Sequence, residues 1–230
     1  MPATPTRYQL AEIGSLLADP SRAAILLALV DGRARPAGEL ARMAGIAPST
    51  ASAHLARLVE GGLLGVLNQG RHRYFRVAND RVCAVLEALP LLRAPRPCVA
   101  EHTAAARPLA FARSCYRHLA GQLGVALYEG LRRRGWIELG EQAVRLSVDG
   151  RKALQGAGLL PDGAGPASLA GRGCLDWSER RFHLGGPLGV AITAQLLRRD
   201  WLRRRDDSRA LLLTPPGRSG LRQLGIVIDD

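Results

Sequence analysis

The sequence has no apolar run long enough to cross a membrane, which takes about 18 residues or more. It also begins without the basic start, apolar stretch and small-residue cleavage site of a signal peptide. We therefore expect a cytoplasmic protein with no membrane partner. There is no Cys-x-x-Cys pair among the four cysteines, which are Cys83, Cys98, Cys115 and Cys174. This spacing favours reduced thiols over a disulfide framework or a zinc ribbon.

Lysine is almost absent, since Lys152 is the only one among the 32 basic residues. Acidic residues number 20, which leaves a net charge of +12 and makes a polyanion such as nucleic acid the first partner to consider. The 230 residues are 47% hydrophobic, enough for one large or two modest domains with real cores. Wholesale disorder is excluded on the same ground.

Helical periodicity and turn residues divide the first ninety positions into short elements. Apolar spacing over residues 10–30 predicts two helices, the second beginning at Pro20. Residues 36–43 and 48–60 predict two further helices joined by a tight turn that contains Gly45. A β-hairpin is expected over residues 63–77 and a last helix over residues 79–92. This is the order of a helix-turn-helix followed by a wing.

This region resembles the winged helix-turn-helix of the ArsR/SmtB family of bacterial repressors. The likeness rests on Ser52-Ala53-His54-Leu55, on Glu60-Gly61-Gly62-Leu63 and on the hairpin run Gly70-Arg71-His72-Arg73-Tyr74-Phe75-Arg76-Val77, and it covers about 40% of the chain. The resemblance implies a transcriptional regulator, and a repressor in particular, that binds double-stranded DNA.

The helix that begins at Pro48 places small hydroxyl side chains near its N-terminus, where they can reach phosphates or base edges. Five arginines and one acidic residue, Glu60, lie between positions 42 and 76, a balance that suits contact with phosphates. His54 contacts either DNA or the core beside Leu55. The candidate DNA-binding residues are Ser49, Thr50, Ser52, His54, Arg57, Arg71 and Arg73.

One recognition helix reads only a few base pairs, so useful specificity needs two half-sites about 34–36 Å apart. We therefore expect a homodimer on a palindromic operator.

The second half of the chain contains an internal repeat, in which the segment from His118 to Ile137 aligns with the segment from His183 to Leu202. We place the domains at 1–93 (winged helix-turn-helix), 94–108 (a proline-rich linker) and 109–230 (a duplicated sensing or dimerisation domain). The repeats span about 112–159 and 174–226. Each is expected to run helix, strand, strand, helix, with a surface loop over residues 155–173 between them. Arginine runs at 132–134 and 203–205 are expected at the helix ends, where they interact favourably with the helix dipole or, alternatively, form a second contact with nucleic acid.

The predicted fold class is mainly α with small β-hairpin wings (α+β). It consists of a winged helix-turn-helix followed by a pseudo-symmetric domain of two winged-helix-like repeats.

An effector site is sought in the second half, because the familiar metal ligands of the family are absent from the helix-turn-helix and from the helix after the wing. If the repeats pack about a pseudo-twofold axis, their first segments approach one another. The candidate effector residues there are Cys115, Tyr116, His118, Cys174, Trp177 and His183.

Such a pocket suits a metal ion, an oxidant acting on a thiolate, or an aromatic ligand. Alternatively, the histidines are equivalent structural residues and the cysteines small buried hydrophobes. We assign no resident metal or cofactor, and a thiol-bound metal or a small-molecule effector stays open.

Two functions other than an effector-controlled repressor are also compatible with this sequence. One is an effector-independent autoregulatory or architectural DNA-binding protein. The other is an enzyme that uses the winged helix only to contact proteins. The sequence contains no nucleophile elbow, phosphate-binding loop, suitably spaced carboxylate pair or zinc-hydrolase motif, so we expect no enzyme.

Overall fold

The computed structural model of the protein describes residues 6–92, 106–140, 143–161, 163–205 and 208–228. The chain folds into two compact units, Met1–Leu86 and Glu87–Asp230. None of the described helices is both long and apolar enough to cross a membrane. Cys98 and residues 94–105 of the expected linker lie outside the described residues.

The first unit begins with two helices, α1 (Arg7–Leu17) and α2 (Pro20–Leu29). Asp19 separates them, because its carboxylate accepts a hydrogen bond from the Arg22 N–H and so caps α2, while Pro20 occupies the first turn. The predicted start of α2 is confirmed. Ile25, Leu26 and Leu29 of α2 are fully buried and form the centre of this unit's core.

The helix-turn-helix consists of α3 (Ala37–Ala44) and α4 (Pro48–Glu60). Gly45 ends α3 in the left-handed conformation with φ 65°, which favours glycine and turns the chain sharply into α4. Ala51, Leu55 and Leu58 are the buried residues of α4, whereas Val59 beside them is half-buried. Both predicted helices and the glycine turn are confirmed.

The wing is a three-stranded antiparallel sheet in the order β1 (Arg35–Pro36), β3 (His72–Val77), β2 (Leu64–Gln69). Gln69 pairs with His72, so Gly70 and Arg71 form the tip of the predicted hairpin. Arg35 is 2% exposed, and its guanidinium donates two hydrogen bonds to the buried Asp31 carboxylate, at 2.8 and 2.9 Å. The helix expected after the wing is α5 (Asp80–Ala88), continued by a 3-10 turn over Leu89–Leu92.

The second unit opens with α6 (Ala106–Phe111) and then repeats one order of elements twice. The first run is β4 (Arg113–Cys115), β5 (His118–Ala120), α7 (Gln122–Arg133), β6 (Ile137–Leu139), β7 (Val144–Leu146) and α8 (Val148–Gly156). The second run is β8 (Arg172–Leu175), β9 (Phe182–Gly185), α9 (Gly186–Arg198), β10 (Leu202–Arg204), β11 (Leu211–Leu213) and α10 (Pro215–Gln223). The described strands of this unit pair into four antiparallel hairpins.

Three expectations for this half need correction. Each run begins with a β-hairpin before its first long helix, which the predicted order omitted, because strands of three or four residues carry no readable periodicity. The expected surface loop at 155–173 includes Leu159, Leu160 and Leu169, which are buried in the core. The second arginine run lies in and just after β10, whereas Arg132 and Arg133 do end α7.

The core of the second unit joins the two runs. Helix α7 of the first run contacts β9 of the second, and α9 of the second contacts β5 of the first. Leu123 and Leu131 of α7 and Leu188 and Leu196 of α9 are all fully buried in one cluster. Because each helix packs on the other run's hairpin, the hairpins β4–β5 and β8–β9 are brought together at the centre of the unit.

Candidate functional site

Helix α4 has a buried apolar side and an exposed polar side. Ser49, Thr50, Ser52 and Arg57 are exposed, opposite the buried Leu55. Ser52 Oγ donates to the Pro48 carbonyl at 2.9 Å. The N-cap position, Ala47, offers no side-chain acceptor to the first turn of the helix. The first N–H groups therefore have no side-chain cap, an arrangement that suits contact with a phosphate.

The wing, which follows α4 in the sequence, carries exposed positive charge. Arg71 stands at the hairpin tip and Arg73 on β3, and both side chains are exposed. The Arg73 guanidinium lies over the ring of buried Phe75, 5.6 Å from its centre. A cleft of about 630 Å³ is lined by residues of both α4 and the wing, including Ser52, Arg71 and Arg73. Helix and wing thus present hydroxyl and guanidinium groups to one groove.

His54 differs from the other candidate DNA-binding residues because it faces α2. Its Nδ1 lies 3.5 Å from Nη1 of Arg22, and its Nε2 lies 3.7 Å from a carboxylate oxygen of Asp19. Arg22 is itself buried and donates to the carbonyls of Ser15 and Leu16. These contacts favour the packing role, one of the two that the sequence left open for His54.

Four of the candidate effector residues meet in the second unit. Cys115 and His118 are directly paired across β4–β5, and Cys174 and His183 are paired across β8–β9. Nε2 of His118 lies 3.1 Å from Nε2 of His183. One ligand atom from each of the four side chains lies within 4.8 Å of every other. Cys115, His118 and His183 are buried, and Cys174 is half-buried. We call this group the Cys-His cluster.

Local backbone geometry explains how the first hairpin presents its pair and how closely each hairpin approaches the other run's helix. Tyr116 and Arg117 both have positive φ, 38° and 75°, so they form the two-residue turn that closes β4–β5 between Cys115 and His118. Gly189 of α9 allows this hairpin to approach closely, because a Cβ there would lie 3.3 Å from the His118 Cβ. Gly124 of α7 does the same for His183, at 3.4 Å. The two halves of the cluster are therefore seated in equivalent ways.

Asp176 forms a second layer behind His183. Its Oδ2 lies 3.1 Å from Nδ1 of His183 and accepts the Gly121 N–H at 2.7 Å. Its Oδ1 accepts from Arg113 Nη2 at 2.7 Å and from the Ser178 hydroxyl at 2.8 Å. Asp176 and Arg113 are both fully buried. This ion pair fixes the carboxylate that faces the imidazole.

The pKa values of these groups are strongly displaced. The hydrogen bond with Cys174 and burial raise the pKa of the Cys115 thiol well above its usual value. The same hydrogen bond lowers the pKa of Cys174. Burial raises that pKa, but hydrogen bonds with both histidines lower it further. Burial lowers the pKa of His183, but Asp176 and Cys174 outweigh it and raise the pKa to about 9. Burial raises the pKa of Asp176, but His183 and Arg113 outweigh this effect and hold the pKa well below its usual range.

The other two candidate effector residues lie beside the cluster without joining it. Tyr116 is in the turn beyond Cys115, and the Trp177 ring is covered by the Arg113 guanidinium, 4.5 Å from the ring centre. Sequence reasoning missed Asp176 and Arg113. Asp176 lies two residues after Cys174, a signal that could have been followed, whereas nothing near Arg113 in the sequence marks it as buried.

Comparisons with known proteins agree with the winged helix-turn-helix. A family model described as a helix-turn-helix domain matches residues 17–66. The HTH-type transcriptional regulator YdfF of Bacillus subtilis is 40% identical over 212 residues, which cover 91% of this chain and 93% of the relative. The HTH-type transcriptional regulator CmtR of Mycobacterium tuberculosis is 36% identical over 99 residues, 41% of this chain and 83% of the relative.

A solved structure of the cadmium metal-sensor CMTR from Mycobacterium tuberculosis is 37% identical and covers 40% of this chain and 98% of its own, with a TM-score of 0.31. The two curated relatives are transcriptional regulators and not enzymes. Because the likeness to YdfF extends over nearly the whole sequence, the chain belongs to the ArsR family of HTH-type, DNA-binding transcriptional regulators.

Proposed function

We propose that the protein is a repressor that binds a palindromic operator as a homodimer. An effector that binds to the second unit raises or lowers its affinity for the operator. The observation that carries the DNA-binding part is the exposed polar side of α4 over a buried apolar side, with arginines on the adjoining wing. A helix anchored in this way can enter the major groove as a rigid element.

The contacts divide by the chemistry of the side chains. Ser49, Thr50 and Ser52 are short and lie in the first turns of α4, so they reach base edges or nearby phosphates. Arg57, Arg71 and Arg73 contact the DNA backbone or the adjacent minor groove and fix the register of the protein. His54 holds α4 against the start of α2 through its contacts with Asp19 and Arg22.

Exposed apolar side chains support the homodimer. Helix α1 leaves Tyr8, Leu10 and Ile13 exposed, by 70%, 69% and 42% of their surface. Val85 of α5 is 50% exposed. Apolar helix faces of this kind are buried when two copies meet about a two-fold axis. The same symmetry matches two half-sites of a palindrome.

The second unit is proposed to be a pseudo-symmetric duplication of two winged-helix-like repeats that receives the effector. Its support is the identical order of elements in the two runs and the matching places of the two Cys-His pairs. The guanidinium of Arg134 lies over Trp136, and that of Arg199 over Trp201, in the same way. The proposed domains keep the bounds 1–93, 94–108 and 109–230.

Fluorescence anisotropy with the purified, reduced full chain tests the DNA-binding proposal. DNA from upstream of its own gene is titrated at about 150 mM salt with excess nonspecific competitor, since affinity without stated salt has no meaning. We expect nanomolar binding of two chains to a palindromic duplex and much weaker binding to one half-site. Equal, salt-sensitive binding to any sequence would contradict an operator-specific regulator.

A second candidate, an effector-independent autoregulatory DNA-binding protein, differs in one measurable respect. Its operator affinity is the same whatever metal, oxidant or organic ligand is added. The buried Cys-His cluster favours the effector-controlled alternative, because an inert core has little need of four clustered metal-ligating side chains.

A further inference from the structure

We propose that Cys115, His118, Cys174 and His183 form a tetrahedral site for one divalent d¹⁰ cation of the Zn²⁺ class. The inference rests on the proposed function for its consequence, because it makes this cation the effector. The site is composed of two cross-strand pairs, one from each run of the second unit, so it exists only when both runs are folded together.

The distances fit the geometry of such an ion. With bonds of about 2.0–2.1 Å to nitrogen and 2.3 Å to sulfur, a tetrahedral site has ligand separations of about 3.3 Å between nitrogens and about 3.8 Å between sulfurs. The two Nε2 atoms already lie 3.1 Å apart. The remaining separations, all within 4.8 Å, need a contraction of at most about 1.3 Å to reach such edges.

The charges also fit. Two thiolates neutralise a divalent cation, and two neutral imidazoles complete the set, so a buried site of net charge zero results. The four side chains release two protons when the cation binds, because thiolate and neutral imidazole are the ligating forms. Two thiolate and two imidazole ligands select borderline and soft cations over Mg²⁺ or Ca²⁺, which prefer oxygen.

Asp176 supplies the second layer that ligating histidines require. Nδ1 of His183 lies 3.1 Å from Oδ2 of Asp176, so the carboxylate favours a proton on Nδ1 and leaves the Nε2 lone pair for the cation. Gly121 and Arg113 hold that carboxylate in place at 2.7 Å each. Asp176 is therefore a positioning residue, and it gives His183 the tautomer that the site needs.

A disulfide between Cys115 and Cys174 is the competing chemistry for the same two thiols. A disulfide would give no role to the two imidazoles that lie close to these thiols, nor to the Asp176 carboxylate beside His183. A cation uses all four side chains and the second layer at once. The structure therefore favours metal binding over thiol oxidation.

Cobalt titration of the full, reduced chain after chelator treatment tests the site directly. Co²⁺ is the probe, because thiolate and tetrahedral coordination give it near-ultraviolet charge-transfer and intense visible bands. We expect one Co²⁺ per chain with both sets of bands, displaced by one equivalent of Zn²⁺. Cys115→Ser and Cys174→Ser should each remove thiolate intensity, whereas Cys83→Ala, which alters a buried cysteine outside the cluster, should bind as the unaltered chain does.

Absence of these bands in the folded, unaltered chain overturns the metal site. So does an octahedral spectrum that the cysteine substitutions leave unchanged, or a Cys115–Cys174 disulfide that forms in a chain unable to bind Co²⁺.

Operator affinity, measured by anisotropy with and without Zn²⁺, is the separate readout for the function. Stoichiometric Zn²⁺ that changes operator affinity at least tenfold supports the cation as effector. Tetrahedral binding with unchanged operator affinity upholds the site and overturns its effector role. Failure to bind any operator, with the site intact, overturns the proposed DNA-binding function alone.

Discussion

His118 and His183 bring their Nε2 atoms within 3.1 Å of each other although 65 positions separate them in the chain. Each lies opposite a cysteine in its own short hairpin, and each is packed against a glycine of the other run's helix. Neither hairpin has enough strand to be stable by itself. The contact between the histidines therefore forms only when the two runs pack together.

A cation in the Cys-His cluster should stabilise the second unit against unfolding, because the unfolded chain holds no preformed site. At a free Zn²⁺ concentration 100 times the Kd, the gain is about 2.7 kcal/mol. At about 2–4 °C per kcal/mol, the Tm should rise by about 5–10 °C. Differential scanning calorimetry with and without Zn²⁺ measures this shift. The same rise in the Cys115→Ser chain would show that the ion binds elsewhere.

Asp176→Asn should weaken Zn²⁺ binding by about 10–100-fold, because the neutral amide removes the negative charge that lies 3.1 Å from Nδ1 of His183. Competition with a chromophoric chelator gives the affinity, and the Co²⁺ spectrum shows whether the ligands are unchanged. Asp149→Asn, at an exposed position of α8, is the matched control. An Asp176→Asn chain that melts earlier but binds Zn²⁺ with unaltered affinity would leave the residue a purely structural role.

The winged helix-turn-helix could be predicted because its signals are local. Pro20 and Pro48 begin helices, Gly45 ends one, and the apolar spacing around Leu55 and Leu58 sets the buried side of α4. Each of these acts through backbone restrictions on its immediate neighbours. A sequence pattern reads such restrictions directly.

The hairpins of the second unit and the layer behind the cluster could not be predicted in this way. The β4–β5 turn is made by Tyr116 and Arg117, which have positive φ without being glycine or asparagine, so no turn residue marks it. Arg113 is buried only because Asp176, 63 positions away, neutralises it. Long-range pairs of this kind are set by packing, although the repeat did suggest that the two Cys-His segments approach each other.

Arg71→Ala or Arg73→Ala should weaken binding to operator and random DNA alike, because guanidinium contacts with phosphate carry no sequence information. Removing one guanidinium–phosphate interaction should reduce the slope of log K against log salt by about 0.9. Anisotropy titrations at several salt concentrations measure the slope. Arg145→Ala, at an exposed position of β7, provides the control of equal charge change. Weakening confined to the operator would contradict a backbone role for the wing arginines.

Ser49→Ala and Thr50→Val should instead relax sequence preference, because the hydroxyls at the start of α4 are proposed to reach base edges. Discrimination at the contacted base pair should fall by about 0.5–1.5 kcal/mol for each hydroxyl, with little change on random DNA. Competition between single-base-pair variants of the operator gives this difference. Ser15→Ala on α1 controls for the loss of an exposed hydroxyl. Uniform weakening on every sequence would assign Ser49 and Thr50 to phosphate contacts.

Gly189→Ala should both destabilise the protein and weaken Zn²⁺ binding. A Cβ at Gly189 would lie 2.1 Å from the Leu184 carbonyl oxygen in β9 and 3.3 Å from the His118 Cβ, so α9 must shift against the strand that carries His183 and away from His118. Overpacking of this kind costs about 1–3 kcal/mol. Denaturant unfolding and Zn²⁺ competition measure the two effects.

Gly156→Ala is the opposite case in the same unit, because nothing lies within 4 Å of a Cβ at this position in α8. Alanine there should stabilise the chain by about 0.4–1 kcal/mol by restricting the unfolded state, with no change in Zn²⁺ affinity. The pair of variants separates backbone propensity from close packing. If Gly189→Ala lowered stability yet kept full Zn²⁺ affinity, the position of His118 would not depend on the approach of α9, and the proposed seating of the Cys-His cluster would be wrong.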